Sequence, residues 1–167
     1  MVLMLFVTVG SQKFQFDRLL RAVDALVASG TVEGGAFAQT GACGYIPKSF
    51  PSEAFLDRNR FSELMDQSDV VVTHGGTGAI IGAVKRGKRV VAVPRLARFG
   101  EHVDDHQVEI VRQFGDMGLI EPCLDTDELP EAYALAGSRE YKRFSSNSER
   151  FLSDLASYID SLQEEGR

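Results

Sequence analysis

"VVTHGGTGAIIGAVKRG", residues 71–87, decides the fold. A β-branched run suited to a buried strand breaks at His74-Gly75-Gly76-Thr77-Gly78, and an apolar segment of helical spacing follows. Lys85 and Arg86 before Gly87 give the charge order and the stop residue of a helix C-terminus. The stretch therefore reads as strand, glycine turn, helix. That is the repeating unit of a parallel sheet with helices packed on its faces.

The same alternation extends both ways from it. Val2 to Val9 form a near-continuous apolar run, expected as a strand covered on both faces and ended by Gly10-Ser11. Phe16, Leu19, Leu20, Val23, Leu26 and Val27 then recur at helical spacing up to Gly30. "GGAFAQTG" (34–41) reads as a short strand, and residues 42–60, with two prolines, as mostly irregular. Phe61, Leu64 and Met65 suggest a short helix before a strand at 69–73. Beyond the quoted stretch come a helix at 77–86, a strand at 89–93 ended by Pro94, a helix at 102–114 and a short strand at Leu119-Ile120. The fold class is α/β, a Rossmann-like parallel sheet with helices on both faces. Residues 139–165 are polar with an apolar stripe at Phe144, Phe151, Leu155, Tyr158, Ile159 and Leu162, the pattern of an amphipathic helix. That helix could pack on its own sheet or reach a second polypeptide. The organisation expected is a domain over 1–138 and a C-terminal helix over 139–167.

The whole chain bounds what this fold can do. Its 167 residues suffice for one buried core. Cys43 and Cys123 lack CxxC spacing, which disfavours a disulfide scaffold or a cysteine zinc site and suits a reducing cytosol. The net charge of −6 excludes a global basic field for nucleic acid. Against it stands a local cluster of Lys85, Arg86, Lys88, Arg89, Arg95 and Arg98, open to reading as a solvated face or as a functional one. "MVLMLFVTVG" is apolar but only about half the length of a spanning helix.

In an open parallel sheet, ligands bind at the carboxyl ends of the strands. Three loops converge there: Gly10-Ser11-Gln12, His74 to Gly78, and Pro94 to Asp105. Glycine permits close approach to the main chain, and the first N–H groups of the next helix favour an anion, with Thr77 as N-cap or hydroxyl donor. The spacing matches neither GxGxxG nor a Walker loop. His102 and His106, four apart, would share a face if their helix begins at His102, and His74 would join them from the neighbouring loop as a three-histidine metal site. Val103 stands where HExxH needs glutamate. The competing use of Asp105, His106 and Gln107 is hydrogen bonding to sugar hydroxyls.

"HGGTGAIIGAVKRGKRVVAVPR", followed by "FGEHVDDHQVEIV", resembles the C-terminal, donor-binding domain of the GT-B glycosyltransferases of family 28. It is most similar to the stand-alone members, which include the small subunit of the dolichol-linked GlcNAc transferase and bacterial exopolysaccharide and capsule subunits. "VTVGSQKFQFDRLL" is similar to the family's first strand and phosphate loop, so the likeness covers roughly residues 1 to 120. It implies half of a GT-B fold.

The resemblance implies that Gly10, Ser11, Gln12, Gly75, Gly76, Thr77 and Gly78 hold the diphosphate of a UDP-sugar, with His74 beside it. Asp105, His106 and Gln107 would touch the sugar, and the uracil would lie near Phe55 to Arg58. Many relatives carry on the following helix a glutamate that grips the ribose, where this chain has Gly82. Its loss removes about 1.5–3 kcal/mol of charged hydrogen bonding, and a mid-helix glycine costs about 1 kcal/mol against alanine, so something should benefit from its smallness. The implied reaction is inverting hexosyl transfer without a resident metal or other cofactor. Arg95 or Arg98 could aid the departing UDP. The implied partner is a membrane-associated acceptor subunit that holds the lipid-linked acceptor and the general base, His74 being the alternative base. The chain would then be cytoplasmic, peripheral to the inner membrane face through that partner, with self-association of the orphan half left open. Two other classes stay open: a non-catalytic nucleotide-sugar binding or enhancer module, and a metal-dependent hydrolase.

Overall fold

The apolar runs of the sequence become the strands and the periodic segments the helices of a computed structural model that describes residues 3–147. In chain order the elements are β1 (Leu5–Thr8), α1 (Asp17–Ala28), β2 (Ala36–Gln39), β3 (Ser52–Glu53), α2 (Arg58–Gln67) and β4 (Val70–His74). They continue with α3 (Thr77–Val84), β5 (Arg89–Val93), α4 (His106–Asp116), β6 (Glu121–Pro122) and α5 (Leu129–Ser138). The sheet order is β3-β2-β1-β4-β5-β6 and every pairing is parallel. From β1 the chain winds outward to β3, then returns to lay β4 against β1 and winds the other way. The boundary between β1 and β4 is therefore the topological switch point, where the loops leaving the two strands diverge to opposite faces and open a crevice.

Period-two alternation divides the core. Leu5, Val7, Val70, Val72, Val91 and Val93 face α1 and α5, packing with Leu19, Leu20, Val23, Leu129 and Ala136. Phe6, Val71, Val90 and Ala92 face α2, α3 and α4, packing with Leu64, Ile80, Ala83 and Val111. Both faces are covered, which is why these strands read as continuous apolar runs rather than alternating ones. Gly30, Gly87 and Gly118 take positive φ just beyond α1, α3 and α4 and end those helices.

The structure corrects several sequence expectations. The first strand is confined to Leu5–Thr8. Helix α4 begins at His106, four residues later than its pattern suggested, because Asp104 accepts the His106 N–H at 3.2 Å and Asp105 accepts that of Ala97 at 2.7 Å. Those two carboxylates hold 101–105 as a turn. Leu119 and Ile120 are core residues, and the strand follows them as β6. Helix α5 and the two-residue β3 were not anticipated. Residues 139–147 carry no helix: Arg139 is extended and bonds both carboxylate oxygens of Glu121 at 3.0 Å. Lys142 donates its N–H to the Gly118 carbonyl, and Phe144 packs on the second core cluster. The rest of the expected C-terminal helix lies outside the described residues.

Candidate functional site

The glycines of the two central loops make room first for a side chain of this chain. A Cβ at Gly10 would lie 2.8 Å from His74 Cε1, and one at Gly76 would lie 2.4 Å from His74 Nε2. The imidazole is thus clasped between the loop after β1 and the turn after β4. Gly75 serves the other side, since a Cβ there would meet Gln107 Cβ and Val111 Cγ2, both at 2.9 Å. That close approach seats α4 against the turn. A Cβ at Gly78 or Gly82 would meet nothing within 4 Å, so on the cleft side of α3 the backbone is bare toward open space.

His74 is held neutral. Burial, followed by the positive charge of Arg95, lowers its pKa to about 4, against a weaker upward pull from a hydrogen bond with the Thr8 backbone. A group with that pKa is a poor proton acceptor near pH 7 and a competent neutral hydrogen-bond donor.

Arg95 shows why. Its guanidinium is 1% exposed and donates to the carbonyls of Phe14, Gln15, Glu101 and Val9, with its face 5.0 Å from the Phe16 ring centroid. It anchors the first loop to the third rather than standing free to meet a phosphate, and the expectation that it contacts departing UDP is corrected accordingly. Beside it Glu101, 1% exposed in its side chain, takes two bonds from Arg18 at 2.9 and 3.0 Å and the Leu96 N–H at 2.9 Å. Arg18 lies 83 residues from Glu101 in the chain, so spacing gave no hint of the frame they build.

Gln107 completes it. Its Oε1 accepts both the Gly75 and the Arg95 N–H at 3.1 Å, which ties the turn after β4 to the end of β5. Two backbone donors assign the oxygen, so the NH2 group is the part left to meet a ligand.

The frame opens onto a cleft of about 420 Å3 lined by the first loop, the glycine turn, Ala79, His102, His106, Gln107 and Ile110. All the site residues expected from sequence line it except Gly75, which lies behind the turn against Gln107, and Asp105, whose carboxylate is engaged by Ala97. Gly76, not Thr77, is the N-cap of α3, and no side chain among the described residues caps that end. The first N–H groups of α3 therefore face the cleft with the helix dipole behind them. Phe55 to Arg58 do not line it; Asp57 caps α2 through the N–H groups of Asn59 and Arg60.

The histidines gather differently from the expected trio. His102, Asp104 and His106 place one ligand atom each within 4.8 Å of one another, and His74 is not among them. His102 lies between Phe14, tilted against it at 4.9 Å, and His106, edge-on at 4.7 Å. Its Nδ1 is buried, 3.5 Å from Asp104 Oδ1, without a hydrogen-bond partner among the described residues. Asp104 is held below the usual carboxylate range by its side-chain bond to His106.

Comparison with known proteins agrees with this geometry. The UDP-N-acetylglucosamine transferase subunit ALG13 of Mus musculus is 30% identical over 127 residues, and that of Homo sapiens 28% over 127 residues. Each alignment covers 71% of this chain but 10% and 11% of those proteins, so the chain spans about a tenth of the length of these relatives. The NMR solution structure of ALG13 superposes with a TM-score of 0.58 at 18% identity, covering 90% of this chain and 93% of that one. The crystal structure of Acinetobacter baumannii MurG gives 0.57 at 16% identity over 82% of this chain and 41% of that one. The calicheamicin glycosyltransferase CalG4 gives 0.60 at 20% identity, covering 82% and 35%. At these identities the structures speak for the fold. Residues 4–162 match the family described as the glycosyltransferase family 28 C-terminal domain, and the chain, a Rossmann-like α/β domain with an open glycine turn at its switch point, belongs to that family.

Proposed function

We propose that this chain is the UDP-sugar-binding subunit of a two-component inverting hexosyltransferase, acting on a lipid-linked acceptor in exopolysaccharide, capsule or glycolipid synthesis. The observation that carries the reading is the uncapped N-terminus of α3, opening beside the Gly10-Ser11-Gln12 loop into the cleft at the β1/β4 switch point. Membership of a glycosyltransferase family gives that anion site its substrate class. The relatives that match are themselves named as subunits of a transferase.

In this reading the diphosphate lies across the N–H groups of Thr77, Gly78 and Ala79, and the sugar reaches His106 and the Gln107 amide. An acceptor hydroxyl attacks the anomeric carbon from the face opposite the departing UDP, forming the new C–O bond as the bond to the β-phosphate oxygen breaks. The negative charge that develops on that oxygen is stabilised by fixed N–H groups and the helix dipole, with no resident metal required. His74, neutral at pH 7, serves as a positioning group and donor, which leaves the general base to the partner.

The carboxyl edge suits a partner. Ile46, Phe55, Phe99 and Val103 are exposed on loops that follow β2, β3 and β5 at that edge of the sheet, although none of them lines the cleft itself. Exposed apolar side chains of this kind cost solvation until covered. The C-terminal segment beyond residue 147 is the second docking element in this proposal. The whole assembly would sit at the cytoplasmic face of a membrane.

The test is calorimetric titration of the purified chain with UDP, UDP-glucose, UDP-galactose, UDP-GlcNAc and UDP-glucuronate, with and without chelator. Chelator-insensitive binding that rises with one sugar supports the reading. Binding abolished by chelator would instead favour the His102–Asp104–His106 cluster as a metal site and a metal-dependent activity. Reconstitution with the partner separates catalysis from a non-catalytic enhancer role, because substitutions at Gly76 or Thr77 should stop turnover only in the first case.

A further inference from the structure

At the end of α3 opposite the cleft lies a second and larger cavity, of about 710 Å3, whose wall is made of cations. Lys85, Arg86, Lys88 and Arg89 reach it from the turn between α3 and β5, and Arg139, Lys142 and Arg143 from the segment after α5. These two segments, far apart in sequence, are brought together by the Lys142 N–H bond to Gly118 and by Phe144, whose ring lies 5.5 Å beneath Lys85 Nζ. More than a third of the 18 lysines and arginines of a chain with net charge −6 line this one cavity, against a single lining carboxylate, Glu140.

Some of these cations are spent on the fold. Arg86 pairs with Asp66 at 3.0 Å, Lys88 donates to the Asp66 and Ser68 carbonyls at 2.7 Å, and Arg139 pairs with buried Glu121. Lys85, Arg89, Lys142 and Arg143 have no carboxylate partner among the described residues. Among the described residues these four positive charges stand together around one cavity without a carboxylate partner, which costs mutual repulsion that a polyanion relieves. Met117, 53% exposed, is the chain neighbour of Gly118, whose carbonyl accepts the Lys142 N–H.

We infer that this face rests on an anionic membrane surface, with phospholipid phosphates in the cation-lined cavity and Met117 at the headgroup boundary. Charge complementarity favours a lipid surface over a nucleic acid, because the two rings that line the cavity are half-buried, Tyr141 bonded to Glu121 and Phe144 packed on the core under Lys85, rather than presented for stacking on bases. The eight residues of α3 span about 12 Å, beyond the screening length of about 8–10 Å at physiological salt. The local patch therefore governs the approach although the whole molecule is acidic. No helix among the described residues is long and apolar enough to cross a membrane, so the contact is peripheral. The inference does not depend on the donor reading.

The experiment is co-sedimentation of the full chain with vesicles of phosphatidylcholine alone or with one third phosphatidylglycerol, at low salt and in 0.5 M salt. Binding is expected to the anionic vesicles only and to be lost at high salt. The Lys85→Glu/Lys142→Glu double variant should weaken it by roughly tenfold or more. A Lys48→Glu/Arg112→Glu variant carries the same net charge and should retain it. Equal loss in both variants, absence of wild-type binding to anionic vesicles, or tighter binding to an oligonucleotide than to vesicles would overturn the inference. UDP titration of the same samples without vesicles reports the donor site separately.

Discussion

At the scale of single residues, the glycines sort into those that make room for this chain and those that leave room for something else. Gly76→Ala drives a methyl group into the His74 ring, where the Cβ would sit 2.4 Å from Nε2. Because an imidazole is rigid, the substitution is expected to cost about 1–3 kcal/mol of stability, measured by urea unfolding, and to disturb UDP binding with it. Gly78→Ala meets nothing within 4 Å and should leave the melting temperature unchanged or higher. If the diphosphate lies against the turn, UDP affinity nonetheless falls by about tenfold, or about 1.4 kcal/mol. Equal affinity in that variant would move the diphosphate away from α3. Gly82 is the sharper case. No described residue packs on it, since a Cβ there would meet nothing within 4 Å, one helical turn beyond the cleft residues Gly78 and Ala79. Its smallness serves no neighbour among the described residues. Gly82→Glu should therefore fold normally and raise UDP affinity by about tenfold to a hundredfold, the worth of a charged hydrogen bond to the ribose. No change in calorimetry would mean that the ribose lies elsewhere.

At the scale of elements, the site depends on how α4 is clamped to the glycine turn. Gln107→Ala leaves the Gly75 and Arg95 N–H groups without their acceptor, and two buried donors orphaned at about 1–3 kcal/mol each should unfold the protein at markedly lower denaturant. Gln107→Glu keeps an oxygen for both donors but replaces the NH2 facing the cleft with a second oxygen. Stability should hold while UDP-sugar affinity drops by at least roughly tenfold; retained affinity would remove Gln107 from the ligand. The clamp also explains what sequence reasoning could reach. Strands β1, β4 and β5 were readable because both faces are buried and their residues are uniformly apolar, and α1 because its stripe is unbroken up to Gly30. The convergence of three loops followed from the alternation alone. The start of α4 was not readable, because Asp104 and Asp105 close a turn whose partner, Ala97, lies eight residues back from Asp105. Helix α5 did carry a signal, with Pro130 in its first turn and Leu129, Ala132, Tyr133 and Ala136 at helical spacing, overshadowed by the longer apolar stripe that follows. Arg95, Glu101 and Arg18 could not be assigned, since Glu101 takes its ion-pair partner Arg18 from 83 residues away and Arg95 donates to the carbonyls of Val9 and Phe14, 86 and 81 residues away.

At the scale of the whole molecule, the neutral histidine under the cleft couples folding to pH. The folded state takes up a proton at His74 only near pH 4, whereas an unfolded chain does so near 6.5. Between those values the unfolded state binds more protons, so stability increases with pH there and is lost as pH falls from 6.5 toward 4. The displacement is worth up to about 3 kcal/mol, an upper bound because the ring is partly exposed. A second acid-sensitive group lies on the other face. Burial pushes the Asp24 carboxyl upward, but hydrogen bonds from the Tyr45 hydroxyl and the Lys48 and Ser49 N–H groups outweigh it and hold the pKa at about 2. Its contribution is present above about pH 3.8 and is lost only as pH falls further toward 2. Acid unfolding should therefore proceed in two windows with separate origins. In urea titrations at pH 7, 5.5, 4, 3 and 2, His74→Gln is expected to flatten the upper window and leave the lower one intact, and Asp24→Asn to do the reverse. If the upper slope survives His74→Gln unchanged, the imidazole between Gly10 and Gly76 is not kept neutral by the fold. The assignment of His74 as a neutral donor rather than a base would then fall with it.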